Sequence, residues 1–502
     1  MNRAIHRAVA FGITLLFLTA WSAMTRAQAP SSGQSSGSQG SSDQNSGAAP
    51  AATGLDTQTS ISENPPVSGL DQPSFEPGLG ARSYLAPRAQ VNETVESNPN
   101  SSVSNSTGVG EITRLLGGVS LQKLWKIHPL DVDYVGGGTW FHTNGQGWYQ
   151  VHSMSATQRI LWRTGQLAIR DQFSYLPQGS FGFGSFGGSA GLGGGFGGGL
   201  GLGGGAFGGG FTFGTNGNSQ RIDNLGMVDV TQALSPRASL VVLGGYGILH
   251  FMNSPPGVIN TQQTMAQVGY NYSLTRADQI AVSYGFQELH FPTANAGDAN
   301  INLLQVYYSH RITGRLDMSA GGGPQWIHAN GYTPGLINTS GGPVVGLVPL
   351  HTNRISGAGR VQFTYRWSAI TNMSLNYSHS VTPGSGFYPG ATSDTARFTF
   401  TRQLTRRWGL SLDTGVSRNS RLLQTTSATS AAGNSHAYDN WYSGAGIHRQ
   451  LSRQFQAYAS YQYEKLLFGS GYCTSGSTCK AGYGQQTGSV GLSWTPRPIR
   501  LD

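Results

Sequence analysis

Two-residue alternation of apolar and polar side chains runs through most of this chain and limits its fold more than any other feature. In the run 397–404, Phe398, Phe400 and Leu404 share one face, while threonine and glutamine occupy positions between them. The run 408–418 repeats the pattern with tryptophan, leucine and valine. A period of two is that of a β-strand with one apolar and one polar face. The chain is therefore predicted to be all-β.

The alternating runs predict about sixteen strands, and fourteen is the lower alternative because the first run and the glycine-rich run 240–248 are the least regular. Each run can supply the roughly 9 to 11 tilted residues that cross a bilayer. The predicted strands are 132–142, 149–162, 166–176, 221–234, 239–250, 263–274, 279–291, 300–312, 315–327, 354–367, 372–382, 394–404, 408–418, 438–451, 455–467 and 485–495. Short segments that predict tight turns lie between pairs of runs, at 234–240, 274–280, 312–318, 404–410 and 451–455.

The chemistry of the two strand faces indicates which solvent each one meets. Charged residues make up 11% of the 502 residues, against roughly 25% in ordinary soluble domains. A soluble sheet would carry lysine and glutamate on its outer face, whereas the polar face here is serine, threonine, glycine, asparagine and glutamine. Five tryptophans lie at strand ends, namely Trp162, Trp367, Trp408, Trp441 and Trp494. This pattern predicts a closed antiparallel transmembrane β-barrel, because an open edge would leave backbone groups unpaired in hydrocarbon.

The amino-terminal part of the chain differs from the rest. Residues 1–27 predict a secretory signal peptide, with Arg3 and Arg7 before an apolar run and small residues before the cut. A retained membrane anchor is the alternative. Residues 28–110 are rich in Ser, Gly, Gln and Pro and predict a disordered linker, with a partner-binding motif at 83–85 as the alternative. A lead-in at 111–131 and a barrel at 132–497 complete the predicted organisation.

Together, the secretory signal, the alternating strands, the short turns and the aromatic strand ends resemble Gram-negative outer-membrane β-barrel proteins of porin-like type. The resemblance covers roughly residues 130–495 and rests on architecture, so it identifies no individual family. It implies location in the cell outer membrane, with residues 28–110 and the short turns in the periplasm. One departure is that such barrels commonly end in an aromatic residue, whereas Trp494 is followed by eight more residues.

The resemblance also implies partners: outer-membrane lipid and lipopolysaccharide, the outer-membrane assembly machinery and small solutes, with a homo-oligomer left open. The formal net charge is +9, and many arginines lie beside predicted turns. In a barrel these would form a periplasmic rim near lipid phosphates. The rim arginines are Arg237, Arg276, Arg315, Arg406, Arg407 and Arg453. This placement disfavours a basic stripe, so no nucleic-acid partner is predicted.

Several charged and polar residues fall on the polar strand face and are candidates for the lumen. They are Arg397, Asp413, His448, Gln462 and Glu464. A lumen of mixed charge indicates a water-filled passage with weak selectivity. The predicted function is a porin-like channel through which small solutes diffuse or in which they bind. A polar network that plugs the lumen, giving a structural or adhesive barrel, is the alternative.

Two predicted external connections have unusual sequences. Residues 179–217 contain 21 glycines punctuated by phenylalanines. They predict either a flexible loop or a segment whose aromatic side chains make contacts, at the cell surface or inside the lumen. Cys473 and Cys479 lie in the last external connection, and an oxidising envelope favours a disulfide between them. Free thiols or a metal are the alternative.

Catalytic chemistry has little support in the sequence. His379 and Ser380 faintly resemble the arrangement in outer-membrane lipid hydrolases, which makes a hydrolase the second alternative function. Adjacent strand residues point to opposite faces, so these two are poorly placed as base and nucleophile. The predicted strands of the barrel region have no G-x-S-x-G motif, the one match in that region being GGSAG at 187–191 within the glycine-rich segment, and the 12 histidines show no H-x-x-x-H spacing. No enzyme activity, cofactor or metal is predicted.

Overall fold

The computed structural model describes most of the chain from residue 83 onwards. All described residues belong to one compact unit, Ala48–Asp502. The predicted signal peptide, the linker up to residue 82, the segment 179–217, both cysteines and Arg276 lie outside the described residues. The described ranges are 83–97, 108–125, 127–142, 147–176, 221–252, 259–275, 277–292, 297–339, 342–382, 390–422, 437–468 and 482–501.

The described chain forms nineteen strands. The first nine are β1 (Tyr84–Ser97), β2 (Val109–Lys123), β3 (Leu130–Phe141), β4 (Gly147–Trp162), β5 (Gly165–Leu176), β6 (Arg221–Ser235), β7 (Ala238–Phe251), β8 (Thr261–Ser273) and β9 (Asp278–His290). The others are β10 (Asp298–Arg311), β11 (Leu316–Thr339), β12 (Gly342–Ser368), β13 (Thr371–Thr382), β14 (Ala391–Gln403), β15 (Trp408–Arg421), β16 (Ala437–Gln450), β17 (Phe455–Phe468), β18 (Gly482–Trp494) and β19 (Ile499–Arg500). Among the described residues, no helix is long and apolar enough to span a membrane.

The sheet closes on itself through its first and last long strands. From β1 to β18 each strand pairs antiparallel with the next along the chain, and β1 also pairs antiparallel with β18. In that seam Ala89 lies opposite Trp494, and Glu96 lies opposite Thr487. The short β19 continues along β1, where Ile499 pairs with Leu85. The fold is therefore a closed antiparallel barrel, as the alternation predicts.

The predicted number of strands was wrong, because the barrel has eighteen long strands rather than about sixteen. All sixteen predicted runs form strands, and the two additional ones are β1 and β2. They lie in residues predicted as disordered linker (28–110) and lead-in (111–131). The alternation in β2 is masked because Leu116 faces inward and is buried, while Leu115 on the opposite face is also apolar. Both faces of β2 are thus partly apolar, which hides a period of two.

The two ends of the barrel differ in their connections. At one end the strands are joined by short turns, such as 163–164, 236–237 and 369–370, and both ends of the described chain lie there. At the other end most connections are longer, such as 177–220 and 422–436. The exception is the hairpin of β11 and β12, whose strands run 24 and 27 residues and extend beyond their neighbours. Short turns at one end and long connections at the other are the arrangement that the resemblance implies.

The outer face carries an apolar band. On β8 the outward residues from Ala266 to Tyr272 are apolar or aromatic, whereas Thr264 and Gln262 above them are polar. With the following Leu274 the band is about nine residues tall, which at 3.3 Å per residue and a tilt of about 40° gives about 23 Å. That height is close to the roughly 25 Å apolar belt of outer-membrane barrels. The outer face therefore has the dimensions of a lipid-facing surface.

The inner face is not uniformly polar, which the sequence does not predict. Buried apolar side chains form two large clusters, one on β6 to β8 and one that joins β9 to β11 with Val381 of β13 and with Leu422, which follows β15. One cluster contains Leu225, Met227, Leu243, Leu249, Phe251 and Met265. A second contains Leu289, Phe291, Ala299, Ile301, Ile327, Ala329, Val381 and Leu422. Elsewhere the inner wall is lined mainly by amides, hydroxyls and paired charges.

Candidate functional site: the polar inner wall

Arg397 and Asp413 form the central ion pair of the polar inner wall. Register places Thr399 of β14 opposite Asp413 of β15, so Arg397 reaches Asp413 diagonally. Arg397 Nε donates to Asp413 Oδ1 at 3.1 Å, and the Tyr442 hydroxyl donates to the same oxygen at 3.1 Å. The two charged side chains are 16% and 5% exposed. Two of the five predicted lumen residues are therefore in direct contact, and the pair neutralises itself.

The other three predicted lumen residues are not joined to this pair. His448, on β16, is partly buried and its ring covers Gly409 of β15. Gln462, on β17, faces inward and is buried. Glu464 lies two residues further along β17, opposite Gln485, and its side chain lies outside the described part of the structure. The predicted lumen set is thus spread over four strands rather than gathered at one point.

Aromatic rings on this wall lie over glycines of the neighbouring strand. A Cβ atom placed on Gly415 would come within 2.6 Å of the Tyr442 ring, and one placed on Gly491 would come within 2.2 Å of the Tyr458 hydroxyl. From its position over Gly491, the Tyr458 hydroxyl accepts a hydrogen bond from Gln90 Nε2 at 2.7 Å. The missing glycine side chains let these rings lie along the wall instead of projecting into the lumen.

Substitution of Gly491 by alanine tests this packing. The new methyl group overlaps the Tyr458 ring and must move it away from Gln90, so we expect the free energy of unfolding to fall by about 1–3 kcal/mol. The matched control is Gly488→Ala on the same strand, where a Cβ meets nothing within 4 Å and a change within about 0.5 kcal/mol is expected. Urea titration in lipid vesicles measures both. Equal effects of the two substitutions would contradict the packing described.

A polar network crosses the seam between β18, β1 and β2. Arg114 Nη1 donates to Thr94 Oγ1 at 3.0 Å, and Thr94 shares a hydrogen bond of 2.8 Å with Ser489. Gln485 Nε2 donates to Glu96 Oε2 at 3.2 Å. Sequence reasoning missed these residues because it placed β1 in the linker. The sequence does carry a signal for β1. From 90 to 96, polar side chains at the even positions alternate with Val91, Glu93 and Val95.

Other inward charges are also paired. Arg170 lies 3.1 Å from Asp229, and Arg88 contacts Asp133. At the end with short turns, Asp317 accepts from Arg311 and from Arg366 at 3.1 and 3.2 Å. Each of these pairs cancels its own local charge, whereas the inward Arg360 donates to the neutral Gln362 at 3.1 Å.

The described rim arginines all lie in short connections at the same end of the barrel. Each is exposed, and Arg315 donates to the backbone carbonyl of Trp367 at 3.2 Å. They are Arg237, Arg315, Arg406, Arg407 and Arg453. Exposed guanidinium groups at one end of the barrel are the arrangement that the predicted lipid-phosphate rim requires.

His379 and Ser380 do not form a base and nucleophile pair. His379 Nδ1 lies 2.6 Å from Asp394 Oδ1, and the Tyr377 hydroxyl donates to the same oxygen at 2.9 Å. Tyr377 is exposed on the outer face, so this group faces outward. Ser380, the next residue along the strand, points to the inner face opposite Ser393. In the described chain, no group of three or more histidine, cysteine, aspartate or glutamate side chains is placed to hold a metal ion.

No protein-family model and no curated protein sequence matches this chain. Among solved structures, it is similar to the closed form of the ferric-catecholate import receptor Fiu from E. coli K12, with a TM-score of 0.43 and 9% identity over 83% of this chain and 82% of that chain. It is similar to OccAB4 of Acinetobacter baumannii, with a TM-score of 0.41 and 7% identity over 84% and 99% of the two chains. For Pseudomonas aeruginosa OpdQ the TM-score is 0.39, with 10% identity over 83% and 98%.

Proposed function

We propose that this protein is an outer-membrane channel through which small hydrophilic solutes cross. The observation that carries the proposal is the opposite polarity of the two faces of one closed barrel. Val268, Tyr270 and Val282 are exposed on the outer face, while Gln267, Asn271 and Ser283, on the same two strands, are buried on the inner face. An apolar exterior belongs in lipid, and a polar interior is favourable where water or a polar solute fills it.

The inner wall supports passage of small solutes with weak charge selectivity. Its aromatic rings lie along the wall, and several of its charges are paired, as in Arg397 with Asp413 and Arg170 with Asp229. Selectivity for one ion sign requires rings or rows of uncompensated charge. We therefore expect both anions and cations to pass.

Electrical recording from the purified barrel in a planar bilayer tests this function. We expect discrete conductance steps in potassium chloride and a reversal potential close to zero in a tenfold salt gradient, because several of the charges on the wall are paired. Absence of any conductance from a folded, inserted barrel would contradict the channel and favour the structural barrel. The two alternatives for residues 179–217, a flexible loop or a segment whose aromatic side chains make contacts, and the expected disulfide stay predictions, since both regions lie outside the described residues.

The outer membrane and its assembly machinery are part of the same proposal. Val490, Leu492 and Trp494 form an exposed apolar stripe on the last long strand, with 58%, 36% and 39% of their surfaces exposed. This stripe lies near the end of the chain, where the resemblance implies an aromatic recognition signal. We expect Trp494→Ser to reduce the amount of folded barrel in the outer membrane, measured by heat-modifiable migration on gels.

A further inference from the structure

A carboxylate lies on the lipid-facing side of the barrel, at Asp171 of β5. The residue before it, Arg170, pairs with Asp229 on the inner wall, so Asp171 faces outward together with Ile169, which is 45% exposed. Asp171 is the seventh residue of β5 counted from the end with short turns. At 3.3 Å per residue and a tilt of about 40°, it lies about 15 Å from that end, near the middle of the apolar band.

Asp171 is the charged exception among the equivalent positions of other strands. From β3 to β17, every second strand begins at the end with short turns, and the seventh residue of each faces outward. These residues are Gly136, Asp171, Gly244, Tyr284, Gly322, Tyr377, Thr414 and Tyr461. A carboxyl group in hydrocarbon needs hydrogen-bond partners whether it is protonated or ionised, because lipid chains donate none. Ionisable side chains at membrane depth are rare and mark functional contacts.

Within the described chain, the Asp171 carboxylate has one side-chain hydrogen-bond donor. Asn224 Nδ2 of β6 donates to Asp171 Oδ1 at 3.1 Å. The two oxygens of a carboxylate can accept several hydrogen bonds, so one neutral amide leaves most of this capacity unused. Two strands away, Tyr246 of β7 is 50% exposed, and its hydroxyl makes no hydrogen bond to any described residue. The same outer face thus carries an acceptor that needs donors and a donor that needs an acceptor.

Strand register places these two groups symmetrically about Gly226 of β6. Asp171 lies opposite Gly226 on one side and Tyr246 lies opposite it on the other, each about 4.8 Å away across the sheet. A Cβ atom on Gly226 would lie 3.7 Å from Asp171 Oδ1 and 4.0 Å from the Tyr246 carbonyl oxygen, which are ordinary contacts. Gly226 therefore leaves a depression between the two side chains, at the centre of a row that begins with an acceptor and ends with a donor.

A second copy of this chain fits the row. Copies in one membrane share one orientation, so a two-fold axis between them runs along the membrane normal. An axis at Gly226 exchanges the two sides of β6 and so places Asp171 of each copy against Tyr246 of the other. Tyr246 is the ninth residue of β7 from the same end. It therefore lies about 5 Å higher than Asp171, which is less than the length of a tyrosine side chain.

Other occupants fit this face less well. Acyl chains offer no donor to Asp171 and no acceptor to Tyr246. An unrelated protein would need both groups at the same spacing, whereas a second copy has both. Gly226 and Gly244 let two barrels approach closely, and Val228, which is 45% exposed beside Gly226, would meet its own counterpart at the axis. Close packing of this kind, together with hydrogen bonds, drives association within membranes.

We propose that the outer face of β5 to β7 is the interface of a homodimer, in which each Asp171 carboxylate accepts a hydrogen bond from the Tyr246 hydroxyl of the other copy. The axis of the dimer passes at Gly226. This inference concerns the lipid-facing surface and goes beyond the proposed channel, since two barrels can associate whether or not either of them conducts.

Oxidative cross-linking of the full chain in lipid vesicles tests the position of the axis. With both native cysteines replaced by serine, Gly226→Cys places a thiol against its own counterpart in the other copy. We expect most of this variant to migrate as a disulfide-linked dimer on non-reducing gels. The matched control is Gly357→Cys on β12, an outward glycine where a Cβ meets nothing within 4 Å, and it should stay largely monomeric. Equal cross-linking of the two variants would overturn the interface.

The dissociation constant of the dimer, measured by energy transfer between donor-labelled and acceptor-labelled copies in vesicles, tests the contacts. Asp171→Leu and Tyr246→Phe should each raise it at least about tenfold, equivalent to about 1.4 kcal/mol. Gly244→Leu should do the same, because it fills space that is open in the single barrel and faces β5 of the other copy. The matched controls are Tyr461→Phe, which alters a tyrosine that is 43% exposed on β17, and Gly357→Leu. Both should leave the dissociation constant within about twofold.

Folding of the single barrel separates an interface from a structural role. If Asp171 contacts a second copy, Asp171→Leu removes a carboxyl group from lipid and should leave the urea midpoint of the monomeric barrel unchanged or raise it. A lower midpoint with an unchanged dissociation constant would assign Asp171 to folding alone and overturn the interface. A native chain that stays monomeric in vesicles would also overturn it. Conductance is measured separately, so a conducting monomer would overturn the dimer and leave the channel.

Discussion

A chain that lacks residues 84–123 is expected to form no closed barrel. Those residues are β1 and β2, and β1 pairs with both β2 and β18 along most of its length. Their removal leaves β3 and β18 as open edges, whose backbone groups would be unpaired at membrane depth at a cost of several kcal/mol each. We expect the truncated chain to migrate as unfolded protein on unheated gels after refolding into lipid vesicles, where the full chain migrates as a compact barrel.

The matched control for this truncation removes residues 28–82 and keeps β1. The pairings that close the barrel lie between Tyr84 and Arg500, so this shorter chain should fold with the yield of the full chain. A sixteen-stranded barrel that closes between β3 and β18 would fold without residues 84–123. Compact migration of the truncated chain would therefore contradict the eighteen-stranded closure.

Substitution of Asp413 by alanine is expected to lower the free energy of unfolding more than Gly491→Ala does. It removes the carboxylate partner of Arg397, a guanidinium that is 16% exposed, and the acceptor of the Tyr442 hydroxyl. Loss of one partner of a buried pair costs about 3–5 kcal/mol, because the remaining charge stays desolvated. Urea unfolding in vesicles should show this decrease in the free energy of unfolding.

Two further variants separate charge pairing from other effects of the substitution. Replacement of both partners, Arg397→Met with Asp413→Leu, removes the charge and the need to pair it, so stability should return to within about 1 kcal/mol of the native barrel. Arg366→Ala breaks a pair with Asp317 at the rim, where Arg366 is 53% exposed, and should cost less than about 1 kcal/mol. A double variant as unstable as Asp413→Ala would show that the pair is not the source of the loss.

Periodicity in the sequence predicts most of this fold. The sixteen alternating runs are all strands because a strand between lipid and lumen has to alternate. Strands β1 and β2 were not predicted, for two reasons. Pro87 and the neutral, serine-rich and asparagine-rich residues around it resemble a linker. In β2, Leu115 and Leu116 place apolar groups on both faces, which hides the alternation. The seam pairing of Ala89 with Trp494 joins positions about 400 residues apart, which no local pattern encodes.

The candidate site was predicted only in part. Alternation places Arg397 and Asp413 on the polar face, but their contact depends on the register between β14 and β15, which brings Gly415 opposite Arg397. The apolar inner clusters were not predicted, since Leu225 and Met227 alternate with Asn224, Gly226 and Val228 and give no sign of which face is inside.

The most direct measurement of the central claim is the accessibility of spin labels placed along β8 of the vesicle-inserted protein, with both cysteines replaced by serine. The outward sites are Ala266, Val268 and Tyr270, and the inward sites are Gln267, Gly269 and Asn271. We predict that oxygen dissolved in the bilayer relaxes the outward labels and that a water-soluble nickel chelate relaxes the inward ones, alternating at each residue. Equal accessibility at successive residues, or the reverse pattern, would contradict a membrane barrel with a polar lumen.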